Sequence, residues 1–345
     1  MTIENANSNS PELSFEDVLK VLPIPGEPLP LHYLSRLSDI DAAHLGELQK
    51  IWPDIPDHRR LEIIREVELV SKSNHLLSFQ ALCQFVMNDH FPHVREVAIR
   101  TLWEYDNISL VANFLNLLET EQDGDVRAAL ITALGKYVYL GEIEKIPPET
   151  LDLIVDRLRG LASGTKATIV KRRALESLGY SGDAAVPGLI DEAYRSGKDD
   201  LVCSALVTMG RSANPGWASI VLNELTSDSP EVCIEAIKAA GELELQDGTE
   251  TLINFLDHED SDIRMAAIWA LSHIGGKVVA KVLEELLEHT EDDIEAELIT
   301  EAIDNLAFTE DIELFSLIEQ GEDDGDGEEL NHDLLDHTAD EDTIH

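Results

Sequence analysis

The sequence predicts an all-α protein, an α-solenoid of stacked antiparallel helix pairs, and three observations carry that prediction. An aliphatic residue recurs at a near-fixed interval: Val94, Val126, Val170, Leu201, Val232, Ile263 and Ile294, with spacings of 32, 44, 31, 31, 31 and 31 residues. Each is followed four, five and eight positions later by small or aliphatic residues, which lie on one stripe of a helix. A polar break and a second amphipathic run separate one stripe from the next, so the unit is helix, tight turn, helix. Such a unit cannot bury its apolar face alone, and neighbours must stack.

Taken in order, residues 1–13 are polar and too poor in apolar side chains to fold. Residues 14–22 predict a short helix capped by Ser14, with Phe15, Val18, Leu19 and Leu22 on one side. A proline-rich joint follows at 23–30, where the rings keep the chain extended. Residues 1–30 are thus a tail, a short helix and a linker, and 31–91 read as a helical capping region of weaker repeat character.

The repeat array spans 92–319. Four positions after each anchor stand Ala98, Leu130, Ala174, Ala205, Ala236, Ala267 and Leu298. At the fifth stand Ile99, Ile131, Leu175, Leu206, Ile237, Ile268 and Ile299, and at the eighth Leu102, Leu134, Leu178, Met209, Ala240, Leu271 and Ala302. Alanine there lets a neighbouring helix come close. Gly135, Gly179, Gly210 and Gly241, nine after their anchors, are expected to end the helix in the left-handed conformation. Asp125, Asp200, Glu231, Asp262 and Asp293 suit the positive amino end of a helix, and Ser229-Pro230 reads as a cap followed by a first-turn proline. The upstream helix is clearest at 217–225, 251–256 and 278–287. Ile312, Phe315 and Ile318 suggest one last helix before an acidic, disordered tail at 320–345.

Asp125-Val126-Arg127 through Ala133-Leu134-Gly135, and Asp262-Ile263-Arg264 through Ala270-Leu271, resemble the HEAT family, and the 31-residue period looks most like the short HEAT-like repeats first associated with phycobilisome lyases. The resemblance covers about 58–319 and implies a HEAT-like superhelix. Tetratricopeptide and ankyrin signatures of comparable period are missing. In the family, the Arg after the anchor belongs to a polar ladder between repeats. Arg95, Arg127, Arg264 and, nearly, Lys171 keep it, whereas Val202, Cys233 and Glu295 are expected to interrupt it. The resemblance implies a non-enzymatic scaffold, adaptor or assembly factor for a protein partner, with a bilin lyase or chromophore chaperone as the enzymatic alternative. Both rest on a fold that hosts many functions.

Charge narrows the partners. The chain has 69 acids against 25 bases, a formal net charge of −44. Residues 321–345 contain 11 acids and no Lys or Arg, so the remainder still carries −33 and acidity is global. Such a surface repels phosphate, which disfavours nucleic acid and anionic membranes. Three scattered cysteines, Cys83, Cys203 and Cys233, read as reduced core thiols of a cytoplasmic protein, and nothing resembles a signal peptide or a membrane span. A monomer is the expected state.

The candidate partner-binding residues come from three places. The long interval puts about 13 extra residues between Gly135 and Val170, expected as a loop on the binding side and bearing Tyr137 and Tyr139. Beside it, 157–175 holds six bases and no acid, so Arg172 and Arg173 either pair with acids of adjacent helices or anchor a carboxylate-rich or phosphorylated segment. Six positions after the anchors runs a column expected on the inner face: Arg100, Thr132, Glu176, Val207, Lys238, Trp269 and Thr300. Trp269 there is either an interaction hot spot or a side chain packed on the next repeat.

Catalytic chemistry and cofactors are not expected. Proteins resembling deoxyhypusine hydroxylase carry His-Glu pairs within second helices, but His258-Glu259 falls in a turn and the matching helix positions hold Met265, Ala266 and Ala267. His90 and His93 flank a Phe-Pro turn without further ligands at metal spacing.

Overall fold

The computed structural model describes residues 13–26, 28–164 and 167–323, with side chains as far as 308. Among them are eighteen α-helices and no β-strand. They are α1 (Phe15–Val21), α2 (Leu31–Leu34), α3 (Ala42–Ile51), α4 (Asp57–Ser73), α5 (Gln80–Val86), α6 (Pro92–Leu102), α7 (Ser109–Thr120), α8 (Gly124–Glu142) and α9 (Pro148–Gly164). Then come α10 (Thr168–Ser177), α11 (Val186–Tyr194), α12 (Asp199–Arg211), α13 (Ala218–Glu224), α14 (Pro230–Glu242), α15 (Thr249–Phe255), α16 (Ser261–Ile274), α17 (Lys277–Leu287) and α18 (Asp293–Asp323). The chain divides into two compact units, Met1–Gly248 and Thr249–His345. In the first, α4, α6, α8, α10, α12 and α14 pack in succession as one layer, with α5, α7, α9, α11 and α13 against them. In the second, α16 packs on α18, with α15 against α16 and α17 against α18.

The stripe explains this layer. Ala98, Ala174, Ala205, Ala236 and Ala267 are fully buried, as are Ile99, Ile131, Leu206, Ile237, Ile268 and Ile299 beside them. Burying one such branched side chain contributes about 1.5–3 kcal/mol, so the repeated stripe dominates stability. At the amino end, Ser14 accepts a hydrogen bond from the Asp17 N–H (3.2 Å), and Phe15, Val18 and Leu22 are buried as expected.

Four expectations are corrected. The glycines nine after the anchors do not end helices in the left-handed region; the glycines with positive φ are Gly26, Gly197, Gly275 and Gly276. They mark close approaches instead: a Cβ on Gly135 would sit 2.7 Å from Ser177 Oγ, one on Gly179 2.8 Å from Arg211 Cβ, and one on Gly210 3.1 Å from Ala239 Cα. The left-handed turns fall on ordinary residues, among them Ala213 (φ 47°) and Glu244 (φ 51°). Second, the extra residues of the long repeat form no loop. They lengthen both helices, giving α8 19 residues and α9 17, where α6 has 11 and α7 has 12.

Third, Ile294 is 72% exposed, and the buried stripe of α18 is Glu295, Ile299, Ala302 and Leu306. Glu295 takes the inward place because Arg264 holds it, Nη2 to Oε2 at 2.9 Å and Nε to Oε1 at 3.1 Å. Glu295 is therefore the acceptor of a ladder rung rather than an interruption. Arg95 makes the same rung to Glu121 (2.8 and 2.9 Å), and each arginine also donates from Nη1 to the carbonyls of the preceding turn, Asp89 and His90 or His258 and Glu259. Fourth, Ser229 makes no side-chain cap; side-chain caps of the array include Asp123, which accepts from the Asp125 and Val126 N–H groups, and Asp260, which accepts from Asp262. Pro230 does occupy the first turn. The calls on residues 1–12 and on the tail beyond 323 lie outside the described residues.

Candidate functional site

In the Met1–Gly248 unit an open groove of about 580 Å³ runs over α8, between α6 and α10. Its floor is Ala128, Ala129, Thr132 and Ala133, which follow one face of α8, and small side chains leave the backbone low between its neighbours. Arg100 and Trp103 of the α6 end form one wall, Ile169 and Arg173 the other, and Glu96, Glu104 and Asp125 complete the rim. Trp103 is 46% exposed and stands nine after its anchor, where four other repeats have glycine. Lys136 holds the indole from below, its Nζ 5.1 Å from the ring centroid, while also pairing with Asp106 at 2.6 Å.

The charges on this surface are largely matched to one another. Arg100 grips Glu68 with Nε and Nη2 (2.9 Å for the latter) and reaches Glu96 at 3.1 Å; Lys72 pairs with Glu68 at 3.2 Å. The Arg100 hydrogen bonds hold the Glu68 carboxyl below its ordinary range despite burial, and raise Arg100 in return. Arg173 is bound to Glu176. Glu104 and Asp125 have no side-chain partner among the described residues.

The sequence candidates scatter over this framework. Arg100 and Arg173 line the groove together with Thr132 of the same column. Arg172 points along the layer instead, donating from Nε to Ser204 Oγ at 3.0 Å. The basic island is mostly paired: Arg157 with Glu119 (3.0 Å), Arg159 with Asp183 (2.7 Å) and Lys171 with Glu192 (2.8 Å). Lys166 lies outside the described residues. Tyr137 is not a surface residue: it is 2% exposed, and its hydroxyl donates to the Asn107 carbonyl at 2.9 Å, pinning the extended α8 to the loop before α7. Burial, with the Asp106 charge adding to it, pushes its pKa to about 12. Tyr139 is exposed and meets Tyr180 edge-on at 5.4 Å. Lys238 is exposed, pairs with Glu235 at 2.9 Å and lines neither groove described here. Glu176 departs from its column, buried between Arg173 and Ser204. Trp269 is half-buried and lines a separate groove in the Thr249–His345 unit.

Trp103 and the alanine floor were missed by sequence reasoning, although a tryptophan in a glycine column is a legible signal. No group of three or more His, Cys, Asp or Glu side chains is placed to hold a metal ion among the described residues, and no helix among them is long and apolar enough to cross a membrane.

A family model described as HEAT repeats matches residues 79–178 and 218–304. Among solved structures, that of YibA from E. coli is similar at 19% identity, covering 82% of this chain and 99% of that one with a TM-score of 0.43. Human deoxyhypusine hydroxylase in complex with glycerol is similar at 15% identity, covering 75% of this chain and 95% of that one with a TM-score of 0.33. No curated protein matches the chain.

Proposed function

This chain belongs to the HEAT-repeat family, and we propose that it is a non-enzymatic protein-interaction scaffold that receives a segment of its partner in the groove over α8. The observation that carries the reading is the alanine floor beside a half-exposed tryptophan, on a layer whose arginines are already paired with its own acids. A floor of alanines admits a bulky side chain, and a tryptophan held by a cation offers a large rigid contact at little entropic cost. Arg100 and Arg173 stand on opposite walls, where they orient the incoming backbone or its polar groups. The partner is a protein, the working compartment the cytoplasm, and the chain acts as a monomer; the net charge of −44 argues against nucleic acid and anionic membranes.

The test fills the floor. Ala129→Arg projects a long side chain into the groove from a position that is not fully buried, so the helix layer is preserved. Capture from native lysate is expected to retain a specific protein on the wild type and lose it on Ala129→Arg and Trp103→Ala, with unchanged melting midpoints. Equal recovery by all three, or recovery of a pigment absorbing in the visible range with no protein, contradicts the proposal. Arg172→Glu/Arg173→Glu separates the two arginines from the groove as a whole: unchanged capture would remove them from the site.

A further inference from the structure

We propose that a second groove, in the Thr249–His345 unit, takes a lysine or arginine side chain from a cationic segment of a protein partner. It lies between α16 and α18, encloses about 450 Å³, and has Trp269 and Phe308 as aromatic walls, Leu298 and Ala302 within it, and Glu301 and Asp304 on its edge. Phe308 is 65% exposed, a large apolar surface turned to water. Trp269 is held in place: its ring stacks on His273 at 4.1 Å, and His273 Nδ1 lies 2.9 Å from the Trp269 carbonyl oxygen.

The charges decide the occupant. Glu301 and Asp304 are exposed and have no ion pair among the described residues, and no Lys or Arg lines the groove. Aromatic faces attract cations through their quadrupoles, and free carboxylates accept the N–H groups of a guanidinium or ammonium. A cationic side chain is stabilised by both wall types at once, whereas a neutral apolar segment leaves the carboxylates unmatched and an acidic one is repelled. The net charge of −44 draws the same class of segment from a distance. The inference rests on the scaffold reading, and the site differs from the α8 groove, whose lining carries Arg100 and Arg173 as well as acids.

The probes are three short fluorescein-labelled peptides, identical except for a central Leu-Arg-Leu, Leu-citrulline-Leu or Leu-Glu-Leu, followed by anisotropy against the full chain. The arginine peptide is expected to bind at least about tenfold more tightly than the other two. That preference should fall by about tenfold in Glu301→Gln/Asp304→Asn and in Phe308→Ser. A charge-matched control on exposed acids in and just after α17, Glu284→Gln/Glu288→Gln, should shift it less than about twofold. Equal binding of arginine and citrulline peptides, no binding of the arginine peptide, or an equal loss in the control overturns the site. Arginine-peptide binding lost only in Ala129→Arg also overturns it, while leaving the scaffold reading intact.

Discussion

The rung at Arg95 and the position of Arg127, one repeat further on, carry the same arginine after the same kind of anchor and end in opposite states. Arg95 is 13% exposed, forks onto Glu121 and closes two carbonyls of the preceding turn. Arg127 has a buried Nε with no hydrogen-bond partner. Arg264 in the other unit repeats the Arg95 arrangement with Glu295. What separates them is the acceptor. It comes from 26 or 31 residues ahead in the two closed rungs, and behind Arg127 those positions are Leu153 and Leu158, inside the lengthened α9. An arginine in the motif therefore does not make a rung; a carboxylate delivered by the following repeat does. The helix left without a rung, α8, is also the one that floors the groove, so the layer departs from regularity where it offers a surface.

Substitutions can break or sharpen that contrast. Arg95→Ala should be the most costly, about 3–5 kcal/mol, because it strands the buried Glu121 carboxylate. Chemical denaturation measures this, and a loss under about 1 kcal/mol would show that the rung is ornamental. Gly210→Val should cost about 2–3 kcal/mol, since the approach to Ala239 leaves no room for branched atoms. Glu68→Gln should cost about 1–2 kcal/mol at pH 7 and flatten the acid limb of the stability curve. Because the folded Glu68 carboxyl titrates below its ordinary 4.5, its contribution is complete above that value and disappears as pH falls through the lowered one. An unchanged pH profile would place the effect elsewhere. Ala213→Gly should stabilise by about 0.5 kcal/mol, relieving a positive φ. Arg127→Met should be neutral within about 0.5 kcal/mol, and a large loss would mean that Arg127 has an acceptor after all.

Much of this architecture could be read from residue order, because burial in a helical stack depends on spacing that sequence displays directly. The residues four, five and eight after each anchor are buried almost without exception, and the sole slipped anchor is Ile294, displaced by the Arg264–Glu295 rung. Positions needing knowledge of a neighbour were harder. A glycine required by a helix end and one required by an approaching helix look alike in one sequence, and only the Ser177 and Ala239 contacts distinguish them. An insertion that lengthens two helices keeps their register and resembles a loop only in its count, which is why Tyr137 was expected on the surface and is found inside. For the site, Arg100, Arg173 and Thr132 were visible as a column or a basic island, but the alanine floor that joins them was not, since alanine also recurs as a core residue of the stripe.

The most direct test of the groove is residue-specific photo-crosslinking in cells. A photoreactive amino acid at Thr132, on the floor of α8, should form one discrete adduct with a protein partner, and the same group at Leu153, 58% exposed on α9, should form none. An adduct at Leu153 with nothing at Thr132 would contradict the account and move the binding surface to the first helices.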